Sequence, residues 1–267
     1  MDTTQYRRFI DEIAAVAGDH DQIIGLVALG STADESRSPD EWSDHDVWVI
    51  TKDGAATEVR DDPNWLPDAD RIVGHFVETV HGRSIVYADG HLVELAVFED
   101  HELEIARAND FRVLYDAGGI EDRVAAIAQR TRADTADAGA DGFAAGRFVT
   151  QLIIGLGRYG RGELLSANQL IQELAVASLL QAIAAADDSP SASVLDNLDP
   201  HRRFEHVHPA AAARIVAALR QPLIDVAVSL IDIGEQLLMG RIDALTPDVF
   251  EALRNAAARA RAERPPE

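Results

Sequence analysis

The sequence contains no cysteine. That removes disulfide frameworks, thiolate metal sites and cysteine nucleophiles together, and any metal must be held by oxygen or imidazole. Lysine is almost missing too: of 24 basic residues only Lys52 is lysine, so 24 minus 1 leaves 23 arginines. Long apolar runs are lacking. Ile23 to Leu29 and Leu174 to Ala185 are too short or too interrupted to cross a bilayer, which argues against membrane association. The N-terminus, Met1-Asp-Thr-Thr-Gln-Tyr-Arg-Arg, has no apolar stretch after its arginines and no small-residue cleavage site, so the expectation is a cytoplasmic protein. Positive charge is scarce against 46 acidic residues, and the net charge of −22 argues against a nucleic-acid partner, which requires a concentrated basic patch. A salt-rich cytosol and a high-GC coding bias both produce such a balance.

What is present is enough apolar material for a real core. With 267 residues and 47% hydrophobic, the chain can form one large domain or two modest ones. Apolar positions at Tyr6, Ile10, Ile13, Ala14 and Ala17 recur at helical spacing, with Thr3 or Thr4 as a cap. Ile23 to Leu29 reads as a strand buried on both faces, and Asp46 to Thr51 as a second strand rich in β-branched and aromatic residues. Further strands are expected at Arg71 to Val80, Ser84 to Tyr87, Leu92 to Phe98 and Phe111 to Tyr115, with Asp89-Gly90 as a hairpin turn. After about Gly119 the pattern turns helical, with segments at 120–132, 142–160, 166–185, 209–220, 222–239 and 247–261. The loop 186–200 and a frayed tail from Arg259 complete the chain. The fold class expected is α+β: a mixed sheet with flanking helices in a domain over 1–118, then an all-α helical bundle over 119–267.

Three places carry chemistry. Gly30-Ser31 follows a buried strand and precedes Thr32-Ala33-Asp34-Glu35-Ser36, a short helix whose first-turn N–H groups could seat a phosphate; a plain turn with an N-cap is the bland alternative. Asp44 and Asp46 lie two apart at the mouth of a strand and therefore share a face. Two carboxylates so placed repel unless a cation joins them, and an oxygen-only set suits Mg²⁺; a solvated loop-to-strand junction is the alternative. His45 points to the other face and reads as structural. Glu94 stands in an otherwise apolar strand, where an unpaired buried charge is costly, so a partner, a metal or a raised pKa is expected; an edge strand with Glu94 facing water is the alternative.

Gly30-Ser31, then Asp44-x-Asp46 about a dozen residues on, then a carboxylate on a later strand resembles the DNA polymerase β-type nucleotidyltransferase superfamily. Within it the chain is similar to lincosamide nucleotidyltransferases with a helical second domain, and more loosely to aminoglycoside nucleotidyltransferases. Asn64-Trp65-Leu66, Glu94 to Phe98 and Arg161-Gly162-Glu163 extend the likeness over nearly the whole chain. The resemblance implies Mg²⁺ on Asp44 and Asp46, the triphosphate of an NTP such as ATP on Gly30 and Ser31, and Glu94 as the base for the hydroxyl of a small acceptor. An antibiotic acceptor, hence antibiotic resistance, and a homodimer are implied with it. Asp46 stands where the family often has glutamate, one methylene longer. Arg161 and Glu163 are candidate contacts to substrate or nucleotide, although capping at a helix end explains them about as well. His201, His206 and His208 lack a fourth ligand and read as loop residues. Trp42, Trp48 and Trp65 could stack on a base, with Trp48 more suited to the core. A nucleotide sensor, one half of a toxin–antitoxin pair and a protein-modifying transferase remain as rivals.

Overall fold

The computed structural model describes residues 2–33, 38–140, 142–187, 194–196 and 198–263. Two compact units divide the chain, Met1–Arg132 and Ala133–Glu267.

In the first unit, helix α1 (Thr3–Asp19) starts at Asp2, not at Thr3 or Thr4. The Asp2 carboxylate accepts from the Thr4 and Gln5 N–H groups while Gln5 reaches back to the Asp2 N–H, a reciprocal capping box. Strand β1 (Ile23–Leu29) leads into a single turn, α2 (Gly30–Ala33). The expected continuation of that helix through Asp34, Glu35 and Ser36 lies outside the described residues. Strand β2 (His45–Thr51), helix α3 (Ala56–Asp61), strands β3 (Ile72–Val77), β4 (Gly82–Tyr87), β5 (Leu92–Glu99) and β6 (Phe111–Asp116) follow. They form one mixed sheet in the order β3-β4-β5-β2-β1-β6, antiparallel except for the parallel β2–β5 pair. β3, β4 and β5 follow one another through short turns, whereas β1 pairs with β6 from a distant part of the chain and β2 reaches its parallel partner β5 only by way of the β3–β4 hairpin.

Each face of this sheet has its own core. On one face Val47, Val49, Val93, Leu95, Val97 and Ile85 pack with Phe9, Ile10 and Ile13 of α1. On the other, Val27, Trp48, Ile50 and Phe98 pack with Leu103 and with Ile120, Val124 and Ile127 of helix α4 (Ile120–Ala140). The first half of α4 therefore belongs to the sheet unit, and the change from strands to helices near residue 118 does not coincide with the division between units. Asp116 starts α4 by accepting from the N–H groups of Gly118, Ile120 and Glu121, and these bonds, Ile120 foremost, hold its carboxyl below the usual range.

The second unit is helical. After the remainder of α4 come α5 (Phe143–Gly160), α6 (Leu164–Asn168), a π-helical stretch Gln169–Ala175, α7 (Val176–Ala185), α8 (Phe204–Val207), α9 (Pro209–Ala218), α10 (Leu223–Leu238) and α11 (Pro247–Glu263). One α-helix was expected over 166–185; the structure has a continuous helix from Leu164 with a π segment inside it. That segment packs closely on α5: a Cβ on Gly155 would fall 2.6 Å from Ile171. Phe148, Leu152 and Leu156 of α5 join Leu179, Leu230, Phe250 and Leu253 in the core. Among the described residues no helix is long and apolar enough to cross a membrane.

Candidate active site

Asp46 and Glu94 face each other on neighbouring strands. β2 and β5 run parallel with Asp46 opposite Glu94, so both side chains leave the same face of the sheet. It is the face covered farther along by Trp48, Ile50 and Phe98 with α4, and the cover stops short of the two carboxylates. Asp46 is half-buried and Glu94 exposed. The expectation of a buried, apolar setting for Glu94 is thereby corrected: the strand is apolar because its other positions pack, while position 94 lies on the uncovered part of its face. Asp44 is half-buried at the mouth of β2, two residues before Asp46.

The backbone of this mouth is held from beneath by groups that sequence reasoning missed. The Tyr6 hydroxyl, on α1, donates to the Asp44 carbonyl at 2.7 Å and lies 2.7 Å from the Thr32 hydroxyl. Thr32 Oγ1 accepts the Asp46 N–H at 2.9 Å. Both residues are buried, so these bonds are shielded from competing water. Burial foremost, and then the Asp44 and Asp46 charges, push the Tyr6 phenol up to about 12, against the lowering effect of hydrogen bonds with Thr32 and Ser31. Only the rule that a buried tyrosine hydroxyl finds a partner could have flagged Tyr6 in advance.

His45 is structural, as its position on the opposite face implied, and it extends this support. It is fully buried, stacks on Tyr6 with ring centroids 3.7 Å apart, and its Nε2 lies 3.0 Å from the Tyr6 carbonyl oxygen. A carbonyl only accepts, so Nε2 carries the proton and Nδ1 accepts from His91 Nε2 at 2.6 Å. Burial pushes the His45 imidazole down to about 3 and also lowers His91.

Gly30 has φ +53°, in the region that favours glycine, and the nearest atom to a Cβ placed there is an Asp46 carboxylate oxygen at 4.0 Å. The Gly30-Ser31 turn therefore adjoins the carboxylates. The Gly30 N–H, expected to be available to a phosphate, is bonded to the Asp110 carbonyl at 3.1 Å. Arg112 closes the far end of α2 by donating to the Ala33 carbonyl at 2.9 Å, another long-range contact invisible in local sequence.

Arg161 and Glu163 lie in the second unit, exposed and bonded to each other at 3.0 Å, with Arg158 also on Glu163. Arg161 is the C-cap of α5 and Glu163 precedes α6. His201 pairs with Asp199 at 3.1 Å and His208 with Asp187 at 3.5 Å. Among the described residues, the metal-ligating side chains gathered within 4.8 Å of one another are Asp53, Glu99 and His101. They sit at the far ends of β2 and β5: Glu99 is the last residue of β5, five residues and roughly 16 Å along the strand from Glu94, and Asp53 lies two residues beyond the end of β2. Trp48 is buried in the core, Trp65 donates to the Val59 carbonyl at 3.0 Å, and Trp42 is 87% exposed just before Asp44.

No family model and no curated protein matches the chain. Solved structures that it is similar to include an aminoglycoside 6-adenyltransferase from Bacillus subtilis, at 13% identity over 96% of this chain and 98% of that one, TM-score 0.31. A STING-associated CdnE c-di-GMP synthase from Capnocytophaga granulosa is similar at 12% identity over 98% of this chain and 80% of that one, TM-score 0.29. A CdnC:HORMA-deltaN complex from E. coli MS115-1 is similar at 13% identity over 90% of each chain, TM-score 0.31. Likenesses at this level assign no role to any residue, and the functional reading rests on the side chains described above.

Proposed function

We propose that the chain is a divalent-metal-dependent nucleotidyltransferase that moves a nucleoside monophosphate, AMP for preference, from a nucleoside triphosphate to a hydroxyl of a small molecule such as an aminoglycoside or lincosamide. The observation that carries this reading is the in-register opposition of Asp46 and Glu94 on parallel neighbours, with Asp44 at the same strand mouth and Gly30 beside Asp46. An all-carboxylate pair at the mouth of β2 has the donor chemistry of a Mg²⁺ site, and Asp44 and Asp46 would hold the ion there. Bound Mg²⁺ would neutralise phosphate charge. The Gly30-Ser31 turn offers close backbone approach for the triphosphate, with Ser31 N–H in place of the engaged Gly30 N–H, and the Ser31 hydroxyl would donate to it by turning from Tyr6. Glu94, exposed on the adjoining strand, is reachable by an acceptor and can take its proton. The acceptor oxygen bonds to the α-phosphorus as the bond from that phosphorus to the oxygen bridging to the β-phosphate breaks; pyrophosphate leaves, and the hydroxyl proton passes to Glu94.

Pyrophosphate release with ATP, Mg²⁺ and a panel of aminoglycosides and lincosamides tests the reading. Glu94→Ala is expected to lower the rate by about 10²–10⁴-fold, the usual reach of general-base catalysis. Asp44→Asn is expected to remove the Mg²⁺ dependence of nucleotide binding. Full activity in Glu94→Ala would overturn the base assignment, and silence of the wild type across the panel would favour a non-catalytic nucleotide binder.

A further inference from the structure

The face that carries Asp46 and Glu94 continues across two more strands. Glu94 is opposite Ser84 on β4, and Ser84 is opposite Phe76 on β3, the edge strand. Side chains directly opposite in a ladder share a face, so Asp46, Glu94, Ser84 and Phe76 form one cross-strand row, with Phe76 about 10 Å from Glu94 at the usual strand spacing. Phe76 is 58% exposed although it points to a face that elsewhere packs a core. Its ring is folded down over Gly74: a Cβ there would come within 2.5 Å of Phe76 Cε2 and 3.0 Å of Cζ. Glycine at 74 thus lets an aromatic ring lie low on the sheet while remaining open to solvent. Beside it, the nearly buried Ser84 donates to Glu78 Oε1 at 2.7 Å and draws that exposed carboxylate against the row. Arg83, next to Ser84 on β4, alternates to the opposite face and is engaged by Asp61 at 2.7 Å and by the Thr79 and Gly82 carbonyls.

We infer that Phe76 and Glu78 form the acceptor subsite, selecting a hydroxyl-bearing ammonium compound about 10 Å long with one apolar face. The apolar face stacks on the Phe76 ring, the ammonium pairs with Glu78, and the far hydroxyl reaches Glu94 along the row. This rests on the nucleotidyltransferase reading and adds the chemistry of its acceptor.

The test is calorimetric titration of the full chain with kanamycin, fully N-acetylated kanamycin and lincomycin. The wild type is expected to bind an amine-bearing probe at least tenfold more tightly than the acetylated one. Glu78→Gln is expected to erase that preference. Phe76→Ala is expected to weaken lincomycin about tenfold, and Gly74→Ala, which displaces the ring without removing it, to do the same. A wild type that binds no probe, or that does not discriminate, overturns the subsite, as do variants that keep wild-type affinities. ATP with Mg²⁺ is titrated into the wild type in parallel: absence of nucleotide binding sinks the nucleotidyltransferase reading, while the amine preference and its loss in Glu78→Gln are decided on their own.

Discussion

At the scale of single residues, the carboxylates at the mouth of β2 depend on buried groups behind the backbone that carries them. Tyr6, Thr32 and His45 are buried and His91 half-buried, and their hydrogen bonds fix the backbone from which Asp44 and Asp46 project. Tyr6→Phe keeps the packed ring and deletes the hydroxyl, leaving the buried Thr32 hydroxyl and the Asp44 carbonyl short of a partner. A loss of about 1–3 kcal/mol in urea unfolding is expected, together with a higher Mg²⁺ concentration for half-maximal nucleotide binding. Lower stability with an unchanged Mg²⁺ requirement would reduce Tyr6 to a core residue. His45 makes stability depend on acid. Its folded-state pKa is depressed to about 3 from an ordinary 6.5, so between those values the unfolded chain binds a proton that the folded chain refuses. The contribution of His45 is complete above pH 6.5 and declines as pH falls toward 3, by about 2–3 kcal/mol at pH 4.5. The stability lead of wild type over His45→Gln should shrink by that order between pH 7.5 and 4.5, and a constant lead would show that His45 accepts a proton in the fold.

Single elements were legible where the hydrophobic period was long and uninterrupted. The spans of β1 and of α5, α10 and α11 follow from runs of apolar residues at period one or 3.6, bounded by Gly, Pro or Asp, and the structure repeats them within a few residues. The alternation of His45, Asp46 and Val47 correctly sends His45 inward and Asp46 to the opposite face. What lay beyond reach depends on neighbours distant in sequence. Glu94 is exposed because the cover from α4 and the 3₁₀ turn Asp100–Ile105 ends before it, which no local pattern in Leu92 to Phe98 reveals. The cap of α1 falls on Asp2 because its carboxylate reaches two N–H groups and Gln5 completes the pair, a geometry that competes with Thr3 and Thr4 on nearly equal terms. The junction of β1 and α4 offers a direct test of element packing. A Cβ on Gly25 would sit 2.6 Å from Ile120 Cγ1, so Gly25→Ala should lower unfolding stability by about 1–3 kcal/mol through overpacking. Pairing it with Ile120→Val, which removes bulk on the opposing side, should restore part of the loss in a double-mutant cycle.

For the molecule as a whole, the position of α4 redraws the line between the halves. A division by secondary structure alone falls near residue 118, but Ile120, Val124 and Ile127 close the core over Val27, Trp48, Ile50 and Phe98. A fragment ending at residue 118 should therefore expose that face and aggregate or bind a hydrophobic dye, whereas a fragment ending at Arg132, the edge of the compact unit, should unfold cooperatively in urea. Equal behaviour of the two fragments would show that the first half of α4 is dispensable to the sheet.

Lys52 sits exposed just past the end of β2, its N–H bonded to the Gln22 carbonyl at 2.9 Å, six residues and roughly 20 Å along the strand from Asp46. Because it is the only lysine, an amine-directed bifunctional reagent has one side-chain anchor per chain. Such a reagent would understate self-association in solution, and failure to trap a dimer with it would say little about assembly. Carbodiimide coupling, acting on a surface drawn from 46 acidic residues, or light scattering without any reagent, is the sounder way to count subunits.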